Sequence, residues 1–368
     1  MKKLVALLLA LVMVLGLVAC GAPATNDTES TPAADGEGTE ALYIPVMAKG
    51  FQHQFWQAVA KGAEDAAKEL GVEIYFDGPA SETEIQAQVD MVNKELAKNP
   101  KAIALAALDT EAVADILDEC ASKNIPVIGF DSGVPGDTSG AVKATASTNN
   151  ENAAAIAAEK FGEHEDLVAA MKAATTEKPI IIACLSQDAV SASVTGRTTG
   201  FVNKMKEIAA EHGTVAVTGH DKWADGDVAA ASIIIEVAIS ATTEATDVQN
   251  AANTLLAKEN LKAIFCSNEG TVTGFLAATA DGEDLADGGK YADLVVAGFD
   301  AGSAQKNAVK QGWFYGSVTQ DPYHIGYYAV EMAVAAAKGE AVADKDTGAQ
   351  WYNAENIENE DIALLVYD

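Results

Sequence analysis

The residues able to do chemistry in this chain fall just after short apolar runs. Lys49-Gly50-Phe51-Gln52-His53-Gln54-Phe55-Trp56 follows the run 41–48. Ala106-Ala107-Leu108-Asp109, Asp131-Ser132, residues 186–197 (with Thr195 and Arg197), Trp223, Asn268-Glu269, Asp300 and Gln320 hold comparable places further along. Fixed acceptors such as Asp suit a ligand with many hydroxyl donors, and Asn or Gln both donate and accept. Aromatic faces suit C–H faces, through dispersion and the ring quadrupole. That combination reads as a site for a small polyol. Singly, each residue also has a plainer reading. A strand-end Asp often serves as a turn or helix cap, Trp223 also reads as a core anchor, Arg197 as half of a surface ion pair, and the aromatics of 49–56 as packing under a helix.

The elements that would position these residues alternate. Strands are expected at 41–48, 72–76, 102–106, 126–130, 179–185, 214–218, 261–266, 294–299 and 315–319. Helices are expected at 57–70, 82–98, 111–123, 149–161, 197–212, 225 to about 240, 248–258, 271–280, 303–310 and 323–338. Alternation at this spacing predicts parallel sheets flanked by helices, and two successive series predict two α/β lobes. Ligands of open α/β sheets bind beyond the carboxyl ends of strands, where the chemistry-bearing residues lie.

The chain opens Met1-Lys2-Lys3 and runs apolar from residue 4 to 19, a signal-peptide pattern too short and wrongly flanked for a membrane span. Leu17-Val18-Ala19-Cys20-Gly21 resembles a bacterial lipobox, which makes Cys20 a lipidation candidate; an ordinary signal peptide with a chance Cys is the alternative. Residues 21–40 contain no large apolar side chain and read as a disordered tether. With 54 acidic against 24 basic residues, net charge −30, nucleic acid is disfavoured as a partner. Cys120, Cys184 and Cys266 have neither disulfide-framework nor zinc spacing; Cys184 and Cys266 read as small buried residues, with a bridge between them left open. Neither a Gly-x-Ser-x-Gly elbow, a His-Glu-x-x-His pair nor a phosphate-cradling Gly-rich loop is present, so no enzyme, cofactor or metal is expected.

One ordered set of segments is more specific. It comprises Phe55-Trp56 ahead of Gly62-Ala63, then Ile125-Pro126-Val127-Ile128-Gly129-Phe130-Asp131 and Arg197-Thr198-Thr199-Gly200-Phe201. Ile264-Phe265-Cys266-Ser267-Asn268-Glu269, Val295-Val296-Ala297-Gly298-Phe299-Asp300 and Ser317-Val318-Thr319-Gln320-Asp321-Pro322 complete it. Over about residues 42–340 the chain resembles the ribose-type (type I) periplasmic sugar-binding lipoproteins that feed ABC importers. The resemblance implies two Rossmann-like lobes with parallel sheets joined by a three-strand hinge, one from 41–146 plus 322–349 and the other from 147–321 plus 350–368. It implies a sugar in the cleft, lobe closure, an ABC permease partner, a monomer and a lipid-anchored, extracytoplasmic location. A ligand sensor of the same fold signalling to a membrane receptor, or a binder of a non-sugar molecule, is the alternative. A transcription regulator of this fold would need a basic headpiece in place of the signal peptide.

Residue by residue, the resemblance implies that Phe55 and Trp56 stack on the sugar. His53, Asp131, Asn268, Asp300, Gln320 and Lys49 would line it, with Trp223 as the second lobe's aromatic. The chain departs from ribose binders in carrying Ser132 where they commonly have Arg and Thr195 in place of one of two arginines, leaving Arg197 alone. Lys49, His53 and Glu269 add charge. The expected ligand is therefore not plain ribose but a modified sugar, or one with amino or acid groups.

Overall fold

The computed structural model describes residues 42–367. The expected leader, Cys20 and the tether lie outside the described residues.

The first sheet is built from β1 (Tyr43–Met47), β2 (Glu73–Asp77), β3 (Ile103–Leu105), β4 (Val127–Phe130), β5 (Val142–Ser147) and, from far along the chain, β12 (Lys345–Asp346). Its order is β12-β5-β4-β3-β1-β2, with every neighbouring pair parallel. The second sheet comprises β6 (Ile180–Ser186), β7 (Val215–Thr218), β8 (Ile233–Ile239), β9 (Leu261–Cys266), β10 (Val295–Phe299), β11 (Gly316–Gln320) and β13 (Ala349–Tyr352), in the order β13-β11-β10-β9-β6-β8-β7. Only β13 runs antiparallel. All-parallel pairing requires crossover connections, and helices supply most of them.

In the first series these helices are α1 (Phe55–Leu70), α2 (Ile85–Leu96) and α3 (Ala114–Ser122). In the second they are α4 (Asn150–Glu163), α5 (Glu165–Ala173), α6 (Ala192–Ala210), α7 (Ala245–Leu256), α8 (Glu269–Ala278) and α9 (Ser303–Lys310), followed by α10 (Pro322–Ala337) and the short α11 (Glu360–Ala363). None of the helices in the described residues is long and apolar enough to cross a membrane.

The expected helix from 225 to about 240 is instead a single 3₁₀ turn, Val228–Ala230, followed by β8. The physical reason is Ile233-Ile234-Ile235. Consecutive β-branched residues fit a strand covered on both faces, and these three are buried between β6 and β7. The expected start of α2 at Glu82 is also corrected: the helix begins at Ile85, which leaves Glu82 on the turn after β2. The strands β5, β12 and β13 were not legible in the apolar pattern. The three described cysteines are buried and free.

The chain passes between the two sheets three times: at residues 148–149, between β11 and α10, and between β12 and β13. The first and third passages are tied side by side. Thr347 N donates to Ser147 O at 3.0 Å, Thr148 Oγ1 donates to Gly348 O at 3.1 Å, and Asn149 N donates to Asp346 Oδ1 at 3.1 Å.

The first sheet's core depends on α10 returning to lie across α1. Val59, Ala63 and Ala66 of α1 and Ile325, Ala329 and Val330 of α10 are all fully buried in one cluster with Ile44 and Val46. The two helices cross with almost no space between their backbones. A Cβ on Gly62 would lie 1.9 Å from Tyr323 O, and one on Gly326 would lie 1.9 Å from Val59 O. Neither helix can yield without moving main chain. Gly326→Ala is therefore expected to lower the free energy of unfolding by about 1–3 kcal/mol or more, read from urea denaturation; an unchanged urea midpoint would contradict this crossing.

Candidate functional site

Six strand ends converge between the sheets. Beyond β1 stands Lys49, beyond β4 Asp131, beyond β6 Gln187, beyond β9 Asn268 and beyond β10 Asp300, while Gln320 closes β11. With His53, Phe55, Trp56, Glu82, Val194, Arg197 and Glu269, all but Gln187 line one small cavity between the sheets. A wider hollow lined by His164, Lys262, Trp313 and Tyr315 lies at the opposite end of the second sheet and gathers no strand carboxyl ends.

The two aspartates are placed by the same local device. Gly129-Phe130-Asp131 and Gly298-Phe299-Asp300 each end a strand with the Asp at positive φ, +51° and +79°. Non-Gly residues in this region are strained and tend to mark functional turns. In each case the Asp N–H still donates to the neighbouring strand, Asp131 to Ala146 O at 3.0 Å and Asp300 to Val318 O at 2.7 Å. A hydroxyl then holds each turned carbonyl: Ser147 Oγ donates to Asp131 O at 2.6 Å, and Tyr352 OH donates to Asp300 O at 2.9 Å.

Arg197 lies between the two carboxylates. Its Nε donates to Asn150 Oδ1 at 2.8 Å and its Nη1 to Ser267 O at 3.2 Å. Nη1 is 3.4 Å from Asp300 Oδ2, Nη2 is 4.0 Å from Asp131 Oδ1, and the guanidinium sits 4.0 Å above the Phe299 ring. Lys49 Nζ lies 3.7 Å from Asp131 and 3.8 Å from Glu82. Burial works against its ammonium, but Glu82, Asp131 and Asp188 together hold its pKa above the ordinary lysine value.

Glu82 and Asp131 face the same lysine and shift oppositely. Burial pushes both up. For Glu82, Lys49, His53 and hydrogen bonds from Trp56 Nε1 (3.0 Å) and Gln187 Nε2 (2.9 Å) overcome it, so its pKa falls below the usual value. For Asp131, Lys49 and Arg197 do not, and its pKa is raised. Two things differ: Asp300 and Glu82 add like charge beside Asp131, and among the described residues no hydrogen-bond donor reaches its carboxylate. Gln320 is similar in its acceptor. Its Nε2 donates to Asp300 Oδ1 at 2.7 Å, but its Oε1 is buried without a partner. The cavity thus presents Asp131 and Gln320 Oε1 as open acceptors, with Arg197 Nη2 as an open donor. Such buried groups call for a partner.

The sequence-derived candidates divide. Lys49, His53, Phe55, Trp56, Asp131, Arg197, Asn268, Glu269, Asp300 and Gln320 are brought together around the cavity. Phe55 and Trp56 also pack into the first sheet's core and meet edge to face at 5.0 Å, so the binding and packing readings both describe them. Trp223 is not brought there. It packs in the second sheet's core, its Nε1 donates to Thr199 Oγ1 at 2.9 Å, and its surroundings are Lys206, Lys222 and Asp225, so the core-anchor reading replaces the cavity-wall one. Thr195 Oγ1 donates to Ser191 O at 2.7 Å inside its own helix and does not line the cavity. Ser132 is fully buried behind the cavity, where its Oγ accepts from Ser193 N at 3.3 Å.

Glu82 stands outside the sequence-derived set, whereas Gln187 and Val194 lie within its stretch 186–197 without being singled out. Glu82 reads as helix in the sequence, yet it follows the carboxyl end of β2 as the other site residues follow theirs. Gln187 lies inside the polar stretch after β6 but is one of many there. No cluster of His, Cys, Asp and Glu among the described residues could hold a metal ion.

Comparison with known proteins places this architecture. Residues 44–341 match the periplasmic binding protein domain family. The D-allose-binding periplasmic protein of Escherichia coli K12 is 26% identical over 325 residues, covering 86% of this chain and 91% of that protein. Among solved structures, a Brachyspira murdochii protein described as an ABC transporter, LacI family transcriptional regulator is 42% identical, with a TM-score of 0.73 over 89% of this chain and 99% of that one. A carbohydrate transporter solute-binding protein from Agrobacterium radiobacter, in complex with D-arabinose, is 27% identical, with a TM-score of 0.72 over 89% of this chain and all of that one. Two mostly parallel sheets, three passages between them and a polar cavity at their facing strand ends agree with the family match: the chain belongs to the periplasmic binding protein domain family, with the type I architecture.

Proposed function

We propose that the chain is the solute-binding component of an ABC importer, taking a neutral monosaccharide between its lobes outside the cytoplasm. The observation that carries this is the open hydrogen-bonding set Asp131, Arg197 Nη2 and Gln320 Oε1 around one small cavity between the sheets. A sugar hydroxyl donates to a carboxylate while accepting from a guanidinium, so one vicinal pair satisfies both faces. The relatives that bind D-allose and D-arabinose support the ligand class. The protein acts by binding and closure, with no chemical step, and hands its closed form to a permease.

The charged residues that pointed to an amino or acid ligand have internal partners. Lys49 faces Glu82 and Asp131, and both Glu269 oxygens accept backbone N–H groups, from Gln54 at 3.1 Å and Phe55 at 3.2 Å. An acid on the ligand would add to the four buried carboxylates Glu82, Asp131, Glu269 and Asp300 that already line the cavity with Lys49, His53 and Arg197. In a thermal-shift panel, neutral monosaccharides are expected to raise the melting temperature and uronic acids to leave it unchanged. Stabilisation by the acids alone would sink this reading. Ribose is not expected to be the strongest, because Ser132 stands where ribose binders carry Arg.

Asp131 gives a pH signature. Its pKa is raised in the empty site because burial outweighs Lys49 and Arg197. Hydroxyl donors from the ligand favour the carboxylate and lower that pKa, so binding releases a proton. Affinity is then full above the raised value and falls as pH drops through it. Calorimetric titration with D-allose should show this fall in the parent. Asp131→Asn should bind at least about tenfold more weakly and lose the pH step, whereas Trp223→Phe, outside the cavity, should bind as the parent does.

Membrane attachment through Cys20 belongs to the same proposal and rests on the lipobox-like Leu17-Val18-Ala19-Cys20. The chain would act as a monomer tethered by residues 21–40. Labelling of expressing bacteria with radioactive palmitate should mark the parent and not Cys20→Ala. Equal labelling would remove Cys20 from the anchor.

A further inference from the structure

Three helices that face the cleft begin without a cap of their own. The N-cap positions of α1, α6 and α9, which are Gln54, Ser191 and Gly302, make no side-chain capping bond. By contrast α4, α8 and α10 are capped by their own Asn149, Asn268 and Asp321. Each of these three starts is served from the opposite lobe; α2, α3, α7 and α11 also begin without a side-chain cap. Glu269, on the second lobe, accepts the Gln54 and Phe55 N–H groups that open α1. Gln54, on the first lobe, returns its Oε1 to α9, accepting from Ser303 N at 2.8 Å and Ser303 Oγ at 3.0 Å. Ser132, also on the first lobe, accepts from Ser193 N at the start of α6.

We infer that Glu269, Gln54 and Ser132 are positioning residues for ligand capture, which hold the closed cleft by capping helices across it. The inference rests on the reading of the cavity as a site closed by lobe movement. Helix starts leave N–H groups unsatisfied, and a carboxylate there also meets the positive end of the helix dipole. When the lobes part, all three helices lose these partners to water. None of these bonds includes a ligand atom, so they stabilise the closed form of the empty protein as well. The ligand-free chain therefore populates a closed form.

Gly302 provides an independent mark of the same arrangement. Its φ of −66° suits any residue, so backbone strain does not require glycine. Room does: a Cβ there would lie 2.8 Å from Glu269 Oε1 and 3.2 Å from Gln54 Oε1. The glycine keeps clear the spot where the two reciprocal caps meet.

Spin labels on Thr83→Cys and Thr242→Cys, exposed residues facing one another across the cleft mouth, report closure by electron–electron distance measurement; the three described native cysteines are buried. The ligand-free parent should show a short-distance and a long-distance population. Glu269→Gln and Gly302→Ala should each cut the short-to-long ratio about five- to tenfold, the size of a lost cap. Their urea midpoints should stay at the parent's value, which a merely structural role would move. Excess D-allose should drive the parent to the short distance. If D-allose does nothing while the ligand-free ratios shift as stated, the sugar reading fails and the cross-lobe caps stand. A single long-distance population in the ligand-free parent, or unchanged ratios in both variants, overturns the inference.

Discussion

The structure turns on how the Arg197 guanidinium is held. Its second-lobe partners, Asn150, Ser267, Asp300 and the face of Phe299, fix it from one side. Its free edge points at Asp131 on the first lobe. An isolated carboxylate buried in a protein interior is costly, and a buried pair is tolerated only when its geometry and hydrogen bonds are good. Glu82, Asp131, Glu269 and Asp300 line one small cavity, so the two cations Arg197 and Lys49 are what permit the lobes to meet at all. Every other feature of the cleft, from the turned aspartates to the approach of the helix starts, assumes that these charges face one another.

The site also explains the unusual backbone around it. Two aspartates at positive φ would be a liability in an ordinary strand–helix loop. Here their carbonyls are taken by Ser147 and Tyr352, so the strain is offset locally and each carboxylate is aimed into the cleft. Two sheets that share little sequence have arrived at Gly-Phe-Asp in the same structural place, one from each side of the ligand space.

How much of this was legible beforehand follows physical lines. Runs such as Val295-Val296-Ala297 and the apolar stripe of α10 announce a buried strand and a helix, because burial imposes their periodicity. The triple isoleucine of β8 misled: a continuous apolar run carries no period, and only β-branching distinguishes it from a buried helix. The short β12 and β13 carry no apolar signal, since they are half-exposed edge pieces whose pairing is set by the passages between lobes. Most of the cavity residues could be named because they follow strands. Trp223 could not be placed, because an indole suits a core as well as a ligand wall. Glu82 and the capping role of Gln54 depend on which surfaces meet across the cleft, and that information is absent from local sequence.

The return of α10 across α1 and of β12 beside β5 carries a consequence for the order in which the molecule can form. The lobe that begins the chain is completed by nearly its last segment, while six of the other lobe's seven strands are threaded in between. Until α10 arrives, the side of α1 that meets it lies open, and one face of the first sheet is covered by α1 alone. A growing chain therefore cannot finish its first lobe until six strands of its second have been made, and the early half must wait as an open, apolar-faced intermediate. Assembly of this protein is in effect a single late event, and the backbone-tight crossing at Gly62 and Gly326 is where it is completed.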